Sequence, residues 1–365
     1  MKFHHFVATL SMGLSALACC AEDRLEPVYD AALAGVGLKA IALLSAVDAS
    51  SLDAIESTRA ACIRSALLAA PSRVEIPPIS SDILLAYRIY WQQAMMRKVP
   101  VKDAAAELKH RLDAILAGWD PAYAVSTSLD VASERAKRAI ERDGLFALTG
   151  VTPPYYELAI WKTQTRQDYQ VALHDRRVET QVIFLDDFVS FGWAGFATCD
   201  RYHTGGWATT TALYAVKSAY DLKSEDFRVS YLAHESRHFS DRHRFPKLEA
   251  PELEYRAKLT ELTLATESAQ SLIKTFARRS GSERSSPHSF ANYWVARHLS
   301  KDLFKSDVLI EEAARWDRIP AKALRRAAKR LLTSNDAALK NAKPSSLERF
   351  LPDSIDDGSA STITR

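Results

Sequence analysis

The sequence predicts an α+β fold, mainly helical. Three features carry this reading: Ala- and Leu-rich stretches with helical spacing up to about Val125, three short runs of alternating apolar and polar residues after Gly150, and a return to helical spacing from Phe227 onward. The expected architecture is a helical N-terminal region over 22–150, a small antiparallel or mixed sheet opening a second domain over 151–340, further helices within that domain, and a flexible tail over 341–365.

A chain of 365 residues can form one large domain or two ordinary ones. With 47% hydrophobic and 25% charged residues it has ordinary globular composition and can bury a sizeable core. A net charge of +3 over this length gives no basis for nucleic-acid binding.

Residues 1–21 read as an export signal. Lys2 supplies a positive start, Phe6 to Ala18 is an uncharged apolar run, and Ala16-Leu17-Ala18 offers small residues for cleavage. The run is too short for a permanent membrane span; the alternative is a buried N-terminal helix. Leu17-Ala18-Cys19-Cys20 resembles a bacterial lipobox. The expected location is therefore periplasmic or secreted, with lipidation at Cys19 or Cys20 as the one route to a membrane. Cys62 and Cys199 then remain, either as one disulfide or as two separate buried thiols.

Helices are expected over Tyr29 to Val47, from a Ser51 or Asp53 cap to about Ala70, over Ile83 to Met96, and over Val101 to Trp119. Pro153-Pro154 breaks the chain. Alternation at Leu158 to Lys162, Tyr169 to Leu173 and Val178 to Phe184 then reads as an antiparallel meander, with a turn at Thr165 to Asp168. Phe191 to Thr211, rich in Gly, Trp and Thr, reads as one or two more strands. Within it, Gly205 to Thr209 suits close approach of a ligand or another backbone, and equally a simple bulge.

Ser224-Glu225-Asp226 is a helix start, and the helix should run from Phe227 to about Arg242. Val229, Leu232, Ala233 and Phe239 are expected to face a core, with Ser236, Arg237, Ser240 and Arg244 toward solvent. This helix carries His234-Glu235-Ser236-Arg237-His238, an HExxH pattern. Residues i and i+4 share a helix face, so the two imidazoles can meet one metal ion, while Glu235, about 100° round, can point at a water. A helix opened by Pro251 follows, running to about Phe276, and further helices are expected near 289–304, 307–316 and 320–340. Arg325, Arg326, Lys329 and Arg330 form the densest basic cluster and are read as a solvated face.

A catalytic zinc takes three protein ligands and keeps one position open. Glu254, on the helix after a Pro-marked turn, is the first candidate for the third ligand. Glu261, two turns on, is the second; otherwise it can orient a ligand imidazole. Asp241 and His243 come last, because one straight helix rarely brings three such positions to one ion.

His234-Glu235-x-x-His238 followed by Glu254-x-x-Ala257 resembles the gluzincin branch of the zincin metallopeptidases. The metzincin spacing is not met, since Arg244 stands where that group's third His belongs. The resemblance implies a mixed sheet before the HExxH helix and zinc held by His234, His238 and Glu254. It also implies a hydrolase in which Glu235 takes a proton from metal-bound water and returns it to the leaving amine. The substrate would be a peptide or protein. His203, Tyr202, Tyr255 and His243 are candidate oxyanion donors, and Gly205 to Thr209 is a candidate edge strand for an extended peptide. Two other readings stand beside this one: a non-enzymatic envelope protein with a zincin-like scaffold, and a zinc hydrolase acting on a non-peptide bond.

Overall fold

Asp53 shows how local sequence sets the first helices. The computed structural model describes residues 23–120, 123–209, 211–341 and 348–352; the expected export signal, with Cys19 and Cys20, lies outside them. Helices α1 (Glu26–Leu33) and α2 (Gly37–Ala46) replace the single helix expected over 29–47. The break is at Gly35, which takes φ +72°, a left-handed conformation natural to glycine. Asp53 then caps α3 (Ala54–Leu68): its carboxylate accepts the Glu56 N–H at 2.7 Å while Glu56 accepts the Asp53 N–H at 3.0 Å. Helices α4 (Pro78–Met95), α5 (Val101–Trp119) and α6 (Leu129–Arg142) follow, the last capped by Ser128.

Strand β1 (Phe146–Thr152), within the region read as helical, pairs antiparallel with β2 (Tyr155–Ala172) across the Pro153–Pro154 break. β2 runs straight through Thr165 to Asp168, where a turn was expected. Those polar residues are exposed on a long strand instead, and Asp168 accepts a hydrogen bond from Gln181 of β3 (Arg177–Phe191) at 3.2 Å. Of the one or two strands expected over Phe191 to Thr211, one is present as Gly206–Ala208, while the first part of the stretch is helix α7 (Gly192–Thr198). Buried Glu157 accepts the Trp193 N–H at 2.9 Å and so caps that helix from β2. Short strands β4 (Gly206–Ala208) and β5 (Leu213–Val216) complete a sheet with the order β1-β2-β3-β5-β4.

A π-helical segment, Asp226–Ala233, leads into α8 (His234–Arg244). Ser224 accepts the Phe227 N–H at 3.0 Å, as its capping role requires. Then come α9 (Ala250–Leu264), α10 (Ala269–Arg278), α11 (Pro287–Phe304), α12 (Ala313–Asp317) and α13 (Ala321–Asn341). The single helix expected from Pro251 to Phe276 is split because Glu225 collects the amides of Thr266, Glu267 and Ser268 at 2.7, 2.9 and 2.7 Å. Part of the expected flexible tail is docked: Leu351 is buried, and the Phe350 and Leu351 N–H groups donate to Glu252.

The described chain forms two compact units that do not follow the expected cut at residue 150. One comprises the residues up to Thr165 with Leu185–Gly205; the other comprises Arg166–Phe184 and the residues from Gly206 on. The first unit packs Tyr29, Ile63, Tyr87, Trp91, Leu112 and Leu158 in its core. Its Cys62 and Cys199 form a disulfide across 137 positions, a closure that stabilises by roughly 5 kcal/mol in chain-entropy terms. The second unit has one apolar cluster around Phe184, Leu213, Phe227 and Tyr231, and another around Leu259, Phe290, Trp294, Trp316 and Leu332. Among the described residues no helix is long and apolar enough to cross a membrane.

Glu225 offers a test of the break between α9 and α10. Burial alone would raise its pKa, but the hydrogen bonds from Thr266 and Ser268 outweigh this and bring it down to about 2. A depressed carboxylate stabilises fully above its unfolded value, 4.5, and progressively less as pH falls toward about 2. Glu225→Gln is therefore expected to cost about 1–2 kcal/mol at neutral pH. In denaturant titrations the gap from the parent protein should close as the solution is acidified; a gap independent of pH would refute the assignment.

Candidate metal centre

The HExxH residues form the first turns of α8, directly after the π-helical segment. Such a segment shifts the register of the side chains that follow it and is often found at functional sites. Tyr231, at its end, packs its ring where a Cβ on Gly206 would stand: that atom would lie 2.4 Å from both the ring and the Tyr214 carbonyl. The small residue expected for a close approach therefore serves this internal contact. Arg242, one turn beyond His238, donates to the Ala208 carbonyl at 2.8 Å and ties β4 to α8.

The side chains of His234, His238 and Glu254 converge. The two Nε2 atoms are 3.0 Å apart, His238 Nε2 is 3.1 Å from Glu254 Oε1, and His234 Nε2 is 3.5 Å from Glu254 Oε2. All three residues are buried. A four-coordinate zinc with bonds of about 2.0–2.1 Å separates neighbouring ligand atoms by about 3.3 Å. The observed contacts bracket that distance, although the two imidazoles meet different oxygens of Glu254; with one atom from each residue the three lie within 4.8 Å of one another, so the group could gather around such an ion. Among the described residues they are one of two groups able to gather ligand atoms around a cation.

The second group, His174, Asp175 and Asp336, is a poorer fit because guanidinium groups already compensate it. Arg237 Nη2 is 2.7 Å from Asp175 and Arg256 Nη2 is 2.6 Å from Asp336. Arg244 Nη1 lies 3.7 and 3.8 Å from the same two aspartates. An added cation would be repelled by all three arginines.

Glu261 takes the supporting role open to it. Its Oε1 is 2.6 Å from His234 Nδ1, which directs His234 Nε2 toward His238 and Glu254. His238 has no equivalent support: its Nδ1 is buried without a hydrogen-bond partner among the described residues. Burial lowers the basicity of both rings. For His234 the Glu261 carboxylate, with Glu254 behind it, reverses this and pushes the pKa up to about 9. For His238 burial prevails over the pull of Glu254 and holds it near about 4. Burial also opposes ionisation of Glu254, but His288 and His238 outweigh it and keep the carboxyl well below its usual range.

Glu235 is fully buried beside the cluster, and its charge acts on His234, Tyr231 and Arg242. The other sequence candidates are engaged elsewhere. Asp241 is bound by Arg256 through contacts of 2.6 and 3.1 Å, and His243 bonds the Phe239 carbonyl. Tyr255 pairs with His298. Tyr202 donates to Glu26, and His203 stacks on Phe191, both within the first unit. Ser236, Arg237 and Ser240, expected toward solvent, are buried; Arg237 donates to Thr260 and Asp175.

His288 is the residue that sequence reasoning missed. It opens α11, and its Nδ1 lies 2.9 Å from Glu254 Oε2. A lone His after a Ser/Gly-rich loop carries no spacing signal, so only the fold brings it forward.

A scan against protein-family models found no match, and searches of curated proteins and of solved structures found none either.

The geometry ranks the ligands. Glu254→Ala should remove most of the affinity for Zn²⁺, whereas Glu261→Gln should weaken it roughly 10–100-fold by releasing His234. Competition against a chromophoric chelator measures both. A larger loss from Glu261→Gln than from Glu254→Ala would exchange their roles.

Proposed function

We propose that this chain is an exported, zinc-dependent hydrolase of the zincin type that cleaves peptide bonds. The observation that carries the reading is the convergence of His234 Nε2, His238 Nε2 and the Glu254 carboxylate, each imidazole within 3.5 Å of one of its oxygens, with Glu261 behind one imidazole. Zinc bound there would acidify a water and polarise a substrate carbonyl.

The residues divide the remaining work. Glu235, one position after His234 and buried beside the three ligands, accepts the proton of the attacking water and passes it to the leaving amine. Glu261 fixes the ring of His234 so that its Nε2 stays directed inward. Arg242 holds β4, the last strand in the sheet order, against α8. That strand is where an extended peptide would lie, by backbone pairing. His288, the partly exposed neighbour of Glu254, marks the side from which substrate approaches.

Export is supported by the leader-like residues 1–21 and by the Cys62–Cys199 disulfide, a bond favoured in oxidising compartments. Lipidation at Cys19 or Cys20 would add a membrane anchor.

Glu235→Gln separates catalysis from metal holding. The variant should keep stoichiometric zinc and lose hydrolysis of a mixed peptide library by at least about 100-fold, the lower end of what a general base contributes. Bound zinc without peptide cleavage in the parent protein, but with activity on cell-wall digests, would move the substrate to a non-peptide bond. Protein prepared without chelator that holds no stoichiometric zinc would refute the hydrolase reading and leave the envelope-scaffold alternative.

A further inference from the structure

We propose that the first unit contains a binding site for a small zwitterion, an α-amino acid with an apolar side chain, held between Arg88 and Asp200. The site is a cavity of about 340 Å³ whose lining includes Arg88, Trp91, Phe191, Phe196, Cys199 and Asp200. That volume is at the small end of the range for ligand pockets, roughly 300–1,000 Å³, which suits a single small molecule.

Arg88 is the first sign of a ligand. It sits on α4, half-buried, and burial lowers its pKa, with Asp200 acting the other way. A guanidinium withdrawn from water is ordinarily paired. Here, among the described residues, no carboxylate lies within ion-pair distance of it. The one protein hydrogen bond it makes is from Nη1 to the Ser72 carbonyl, at 3.4 Å. Arg88 lines the cavity, and its remaining donors are open to a carboxylate supplied from outside.

Asp200 is the second sign. The residue is exposed and its carboxylate accepts no protein hydrogen bond among the described residues, while partial desolvation by its neighbours raises its pKa against the influence of His203 and Arg88. Its backbone is also unusual. Cys199 and Asp200 take φ +51° and +58°, consecutive left-handed conformations at the end of α7. For residues other than glycine this costs of order 1 kcal/mol or more each and persists where the surroundings enforce it. The enforcement is visible: Cys199 is bonded to Cys62 on α3, and the Asp200 N–H is held by the Gly195 carbonyl at 2.9 Å.

Two opposite charges thus line one cavity without pairing with each other. Phe191 and Phe196, the latter packed on fully buried Trp91 with ring centroids 5.5 Å apart, supply an apolar wall. A molecule bearing a carboxylate, an ammonium group and an apolar side chain matches all three features together. The inference concerns the first unit alone and stands independently of hydrolysis at the zinc site.

The test is isothermal titration of the mature, disulfide-intact protein with leucine, phenylalanine, N-acetyl-leucine and leucinamide. Leucine or phenylalanine should bind saturably, with Kd of about 1 mM or tighter. Acetylating the ammonium or amidating the carboxylate should each weaken binding roughly 10–100-fold, the effect of losing one charge-assisted hydrogen bond. R88Q should bind leucine no better than leucinamide, and D200N no better than N-acetyl-leucine. The two capped ligands give a result on the parent protein even if a variant does not fold. Absence of saturable binding up to about 10 mM, or equal binding of free and capped leucine, would overturn the proposal.

Discussion

The position of α8 depends on a buried guanidinium–carboxylate network. Arg256, on α9, grips Asp241, on α8, through two contacts and continues to Asp336 and Asn335 on α13, each at 2.6 Å. Arg237, between His234 and His238 in sequence, reaches Thr260 on α9 and Asp175 between β2 and β3. Neither arginine is exposed to solvent. Removing one partner from such a network leaves an uncompensated buried charge and costs about 3–5 kcal/mol, although an apolar replacement of the whole set could be as stable. Its value here is geometric. Asp241 lies three positions after His238, and Arg256 two after Glu254. The same ion pair that locks α8 to α9 therefore sets the distance between the histidines and the third candidate ligand.

The sequence made the centre of the site legible because the two histidines are neighbours by helix geometry and Glu254 lies on the very next helix. Glu261 was legible in its alternative role, as the carboxylate that orients a ligand ring. What failed to show were residues whose partners are remote. Arg237 reads as solvent-facing if α8 is taken alone; Asp175, far back in the chain, is what makes its burial tolerable. His288 reads as an ordinary loop-edge histidine until α11 is placed beside Glu254.

The same cause explains the errors in the fold. α+β and mainly helical was right, and Asp53 and Ser224 cap as their local sequence demands. Two element assignments failed in part where a distant glutamate gathers backbone amides: Glu157 begins α7 in the first part of the stretch read as strands, of which β4 is the one found, and Glu225 splits α9 from α10. Capping is visible in sequence only when the cap lies within a few residues of the helix. The long hairpin arm failed for a different reason. Its polar middle is a stretch of strand with both faces open to water, and alternation carries no signal there.

The buried carboxylates also separate by what they face. Glu157 and Glu225 accept backbone N–H groups at helix starts, and Glu252 accepts those of the docked tail together with Arg284. Each has a structural employment that accounts for its burial. Glu261 has a single short contact to one imidazole. Glu254 differs from all of them. Three imidazole nitrogens lie within 3.5 Å of it, yet none makes a hydrogen bond of good geometry to either oxygen. A fully buried carboxylate is costly to desolvate, and here the imidazoles of His288 and His238 offset that cost. A cation shared with His234 and His238 would compensate it further, so Glu254, more than the HExxH letters, is the residue on which a metal centre here would depend.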